Sequence, residues 1–149
     1  MDKGSIKKII KMVVAGAVIW GVQYAVFLLL YPGDKPLIEM TLLNMLVMLA
    51  ASLTTSLMLV LYFRSIEKNF LKEGILAGGA WLLINWLLDM VQLQSSNIDP
   101  VTYFTQIGFQ YLTIPVMGAS VGYLLKIKAV EKKQPEKKEE PQILDLLRK

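Results

Sequence analysis

The chain has 149 residues, 54% of them apolar, with a positive mean hydropathy and a net charge of +4. That is more apolar surface than so short a chain can bury against itself, which excludes an ordinary soluble domain. It has neither Cys nor His, which excludes disulfides, thiolate chemistry and the commonest transition-metal ligands, so no metal and no cofactor is expected.

Crossing roughly 30 Å of hydrocarbon takes about 20 apolar residues. Four blocks reach that length, at 12–31, 40–63, 74–93 and 103–125. Lys3, Lys7, Lys8 and Lys11 precede the first block, and Ala15-Gly16-Ala17 follows like a signal-peptide cleavage site. The apolar run continues to Tyr31, however, so a retained first span is expected. Tyr31-Pro32-Gly33-Asp34-Lys35-Pro36 is a breaker cluster before the second block. The loop after that block holds Arg64, Lys68 and Lys72, which are the expected local partners of Glu67 and Glu73. Ser95-Ser96-Asn97-Ile98-Asp99-Pro100 separates the last two blocks, with Asp99 placed to cap a helix opening on Pro100. Residues 129–149 form a tail whose Lys-, Glu- and Pro-rich part, to Gln142, should be disordered. Ile143 to Arg148 could then make a short amphipathic docking turn or simply a frayed end.

These features predict an all-α fold, a four-transmembrane-helix bundle over 1–128. Fifteen of the sixteen basic residues lie at the termini or in the middle loop, and only Lys35 lies in the other two loops. By the positive-inside rule both termini are cytoplasmic in the cell membrane. The same placement makes the lipid bilayer, not nucleic acid, the expected partner of the positive charge. Tyr31, Tyr62, Phe63, Phe70, Tyr103 and Tyr123 lie near span ends, as interfacial anchors do.

A shift of 61 residues superposes Lys11 on Lys72, Trp20 on Trp81, Thr41 on Thr102 and Tyr62 on Tyr123. One reading is a duplicated helical hairpin, a parallel repeat with a pseudo-two-fold bundle. The other is coincidence among Leu-rich helices.

Each span carries a polar or small-residue stripe at helical spacing. The first has Gly16, Trp20, Gln23 and Tyr24; the second Thr41, Asn44, Met48, Ser52 and Thr55. The third has Gly74, Gly78, Trp81, Asn85, Asp89 and Gln92; the fourth Tyr103, Gln106, Gln110, Thr113, Met117 and Ser120. Amides and a carboxylate facing lipid are costly, so the stripes should face one another. At 1.5 Å per residue, Asn44, Asp89 and Gln106 lie roughly 4–6 Å below the outer surface, and Gln23, Asn85 and Gln110 roughly 10–12 Å. The inner half offers only hydroxyls and small residues, such as Thr54, Thr55, Ser56, Gly118 and Ser120. That pattern points to an outward-facing polar pocket above a packed floor.

The expected ligand-binding cluster is Asp89, Asn85, Gln106, Gln110, Asn44, Gln23, Tyr24 and Trp81. Asp89 is the only ionisable side chain well inside a block, tyrosines apart. It could bind a cation or carry a proton, with donors expected from Asn85, Gln106 or Gln110; the bland alternative is interhelical glue. Gly74-x-x-x-Gly78 and Gly118-x-x-x-Gly122 are expected helix-packing pairs. Pro115 lies mid-span and should break the hydrogen bond to the Tyr111 carbonyl, as a hinge or as a static kink. One intramembrane acid with no His, Cys or second acid makes no catalytic set, so no enzyme is expected.

Glu73-Gly74, Trp81, Asn85 and Leu88-Asp89, then Tyr103-Phe104, Gln106-Ile107-Gly108, Tyr111 and Pro115, resemble an uncharacterised family of small four-pass prokaryotic integral membrane proteins. The resemblance covers about the second half of the chain. It implies the four-span fold and draws attention to the Asp89 region, and it implies no activity. The functional expectation is a small transporter or channel-type subunit for a cation or small polar solute, working as a homo-oligomer or within a membrane complex. The alternative is a non-transporting accessory or scaffold subunit.

Overall fold

The computed structural model describes residues 3–33, 35–93, 101, 104–105 and 107–147, and side chains within 6–132. Its helices are α1 (Lys3–Leu30), α2 (Met40–Phe63), α3 (Phe70–Leu93) and α4 (Thr113–Leu147), with a 3-10 turn, Gly108–Leu112, leading into α4. Four helical stretches are long and apolar enough to cross a membrane: Ile6–Leu30, Met40–Phe63, Phe70–Leu93 and Gly108–Lys132.

Local chemistry sets most of the ends. Pro32 disfavours helix at Tyr31, and Gly33 takes φ +94°, a left-handed turn open to glycine. Asn69 takes φ 57°, which its short polar side chain tolerates, and its carbonyl accepts the Glu73 amide at the start of α3. The second span has the expected bounds. The first and third helices begin earlier than the apolar blocks at 12 and 74, because Lys and Glu propagate a helix well without being apolar. Among the described residues the fourth candidate span is Gly108–Lys132, opening on the 3-10 turn, which buries Gly108 and Tyr111. Asp99 and Pro100, the expected cap, lie outside the described residues.

Helical backbone continues to Leu147.

The helices run up-down-up-down. On α1 and α3, Met12 meets Trp81, Gly16 meets Asn85 and Trp20 meets Asp89, each pair 69 positions apart. The two helices are thus parallel and in a fixed register. A two-fold axis with a 61-residue repeat would set Trp20 level with Trp81. Instead Trp20 lies level with Asp89, two turns further along α3. The hairpins also pack unequally. The α3–α4 pair is the most intimate in the bundle, α1 leans on both α2 and α3, and α2 meets α4 only sparsely.

The α3–α4 seam is made of glycine. A Cβ on Gly118 would stand 2.5 Å from the Gly74 carbonyl oxygen, one on Gly122 2.5 Å from that of Phe70, and one on Gly78 2.6 Å from the Pro115 Cα. Pro115 falls in the first turn of α4, two residues after Thr113. There a missing N–H interrupts no interior helix bond, so the expected mid-span break is replaced by a 3-10-to-α junction just before the proline.

Outside, Leu29, Leu53, Leu87, Val91, Phe109 and Val116 are all more than 60% exposed. Such a coat would be a liability in water, and it is what hydrocarbon solvates. Inside, Ile19, Leu59, Ala77, Trp81 and Ile114 form the core.

At the end of the bundle that holds the termini, Glu73 ties three helices together. One carboxylate oxygen pairs with Lys8 of α1, and the other accepts the Tyr62 hydroxyl of α2 at 2.8 Å. The directly bonded partners of Glu73 thus come from neighbouring helices, and of the expected local partners Lys72 adds an electrostatic attraction without a direct bond. Tyr62→Phe should cost about 1 kcal/mol and Glu73→Leu about 2 kcal/mol, the latter because it strands a buried hydroxyl while Lys8 regains water. Detergent-to-SDS unfolding monitored by helicity measures both, and equal stability of all three proteins would remove this tie from the fold.

Candidate functional site

At the opposite, lysine-poor end, the helices enclose a cavity of about 200 Å³. Each element contributes to it. Trp20, Gln23, Tyr24 and Phe27 come from α1; Met40, Asn44 and Val47 from α2; Asp89, Gln92 and Leu93 from α3. Ile107, Gln110 and Tyr111 come from the approach to α4.

Asp89 is the chemical centre. Its residue is 9% exposed. One oxygen accepts the Trp20 indole N–H at 2.6 Å and the other accepts the Tyr111 hydroxyl at 2.8 Å. Charge-assisted acceptance from two donors on different elements orients the carboxyl at the cavity wall. Trp20 also stacks on Tyr24, with ring centroids 5.0 Å apart, as the i, i+4 spacing on one helix face allows.

One turn deeper lies a second polar layer. Asn85 is fully buried. Its amide donates to the Trp81 carbonyl at 2.8 Å and, at 3.5 Å, to the Gly16 carbonyl, and its oxygen accepts from the Gln23 amide at 3.1 Å. Gln23 donates to the Ile19 carbonyl as well. Below this layer Trp81, fully buried, donates to the Met12 carbonyl at 2.9 Å. Gly16 permits this approach: a Cβ there would come within 2.8 Å of Ile84.

Of the expected cluster, Asp89, Gln110, Asn44, Gln23 and Tyr24 line the cavity together. Asn85 and Trp81 do not. They stand behind and beneath it as structural hydrogen-bonding groups, because the α1–α3 register turns Asn85 toward Gln23 and Gly16 and turns Trp81 toward Met12. Gln106 and Tyr103 lie outside the described residues. The donors to Asp89 described here are Trp20 and Tyr111, not Asn85 or Gln110. Tyr111 was missed as a site residue, although its place directly after Gln110 and one turn before Pro115 was a usable signal. Phe27, Met40, Val47 and Ile107 were missed because apolar residues in an apolar span carry no mark of facing a cavity.

A small void of about 20 Å³ continues inward between α2 and α4, past Met48, Ser52 and Thr55. Ser120, expected on the inner polar face, is exposed and donates back to the Val116 carbonyl; a hydroxyl satisfied by its own helix can face lipid. Thr55 is fully buried, and its hydroxyl has no hydrogen-bond partner among the described residues. Thr55→Val, nearly isosteric, is therefore expected to hold or raise stability by up to about 1 kcal/mol. A loss of stability in SDS unfolding would show that the hydroxyl is bonded.

These elements define a multi-pass helical membrane protein with a carboxylate-bearing cavity at one end of the bundle. Comparison finds no matching family model, no matching curated protein and no matching solved structure.

Proposed function

We propose that this is a small transporter or channel-type subunit of the cell membrane, with both termini cytoplasmic and the cavity opening outward to receive a cation or small polar solute. The observation that carries the reading is Asp89, a carboxylate held by two donors on the wall of a cavity about 200 Å³ in size. Intramembrane acids in cavities typically serve ligands or protons. The lysine bias supports the orientation. Beneath the cavity lie the Trp81 layer and the close-packed glycine seam, and the void that continues inward measures about 20 Å³, which suits a binding pocket with a closed floor better than an open pore. The reading is non-enzymatic: the chain has no His or Cys to pair with Asp89. A four-helix chain offers little room for a private path, so action as a homo-oligomer or within a larger membrane complex is part of the proposal.

One observation favours the accessory-subunit reading: Asn85 and Gln23 join α1 to α3 and do not line a path together, as assembly glue does. The test is solute flux into proteoliposomes. Asp89→Asn should abolish flux while leaving the native mass and elution of the assembly unchanged. Weakened assembly, with no flux to lose in the wild type, would establish the accessory role instead.

A further inference from the structure

We infer that the cavity binds a lipophilic organic monocation of alkylammonium type, not a metal ion. This rests on the reading of the cavity as a cation site and names the class of cation. Four aromatic residues, Trp20, Tyr24, Phe27 and Tyr111, share the wall with Asp89. Aromatic faces carry the negative lobe of a quadrupole, and they favour a cation whose charge is spread beneath alkyl groups. Trp20 and Tyr24 stack with their planes 13° apart, so that each covers one ring face of the other while both line the cavity, and the Trp20 indole N–H is itself bonded to the carboxylate. Charge and aromatic face are therefore offered to the same ligand.

A metal ion finds a poorer site. A hard divalent ion takes six or more oxygen ligands. Among the described residues no group of three acidic, His or Cys side chains could hold one. Size points the same way. A cavity of about 200 Å³ is many times the space that a single water needs. That is ample for a quaternary ammonium with short alkyl arms and wasteful for a bare ion.

The test uses the full chain in lipid nanodiscs, titrated calorimetrically with choline, tetraethylammonium, the neutral choline isostere 3,3-dimethylbutan-1-ol, and potassium and magnesium chlorides. The ammonium ions should bind saturably, with the neutral isostere about tenfold weaker or worse. Asp89→Asn should weaken ammonium binding by about tenfold or more, and Tyr24→Leu, at a partly exposed position, by about threefold. Tyr24→Leu leaves the carboxylate and its two donors in place, so it remains informative if the Asp89 variant does not fold. Equal binding of the neutral isostere, displacement of the ammonium ions by equal concentrations of potassium or magnesium, or no ammonium binding by folded protein overturns the inference. Flux through proteoliposomes separates the two claims. Ammonium binding without flux supports this inference and removes transport. Potassium flux without ammonium binding overturns this inference and leaves transport standing.

Discussion

Gly118→Ala is expected to destabilise the bundle by about 3 kcal/mol or more, the upper end of overpacking penalties. The reason is what the new methyl would meet. Near Gly118 the obstacles are the Gly74 carbonyl oxygen and the Gly78 Cα, which are backbone atoms. A side chain can rotate away, whereas backbone can yield only if α3 and α4 separate. Separation would give up the most extensive helix pair in the protein. Gly74→Ala should behave alike, since its Cβ would strike the Gly118 carbonyl. Gly21 and Gly79 provide the control, because a Cβ on either meets nothing within 4 Å. Alanine there should be neutral or stabilise by up to about 1 kcal/mol through helix propensity. The four variants can be compared by SDS unfolding in mixed micelles. Equal midpoints for Gly118→Ala and Gly79→Ala would mean that the two helices do not touch at this seam.

Asp89 should separate charge from hydrogen bonding. In Asp89→Leu the Trp20 indole and the Tyr111 hydroxyl lose their acceptor in a buried setting, and stability should fall by about 2–3 kcal/mol. In Asp89→Asn the amide oxygen can still take the indole N–H, while its NH₂ can donate to the Tyr111 oxygen once that hydroxyl turns. The cost should stay below about 1 kcal/mol, in line with ordinary interhelical bonds. Trp20→Phe in the Asp89→Leu background removes one stranded donor. The double variant should therefore lose less than the sum of the singles, a coupling measurable by the usual cycle. If Asn proved as damaging as Leu, the two donors would not be what holds the carboxyl, and its charge would be structural.

The amino-acid sequence by itself determined that the chain crosses a membrane as four helices, and nearly where. Hydrocarbon thickness and the cost of unpaired backbone groups leave a 24-residue apolar block such as 40–63 one option. The same physics made Asn85, Asp89 and Gln23 legible as inward-facing groups, since each is costly against lipid. It also marked Gly74, Gly78, Gly118 and Gly122 as places where backbones can approach.

Which polar group meets which was decided only in the tertiary structure. The partners of Asp89 depend on the axial register of α1 against α3, and sliding one helix by a turn would present Asp89 with a different neighbour. That register comes from the fit of Gly16 against Ile84 and Trp81 and from the Lys8–Glu73 pair, contacts separated by more than sixty positions along the chain. Trp81 shows the consequence. Its spacing places it on the same stripe as Asp89, yet its level in the bundle makes it part of the floor and not of the cavity. Periodicity along one helix determines a face. The height at which that face meets its neighbour belongs to the packing of all four.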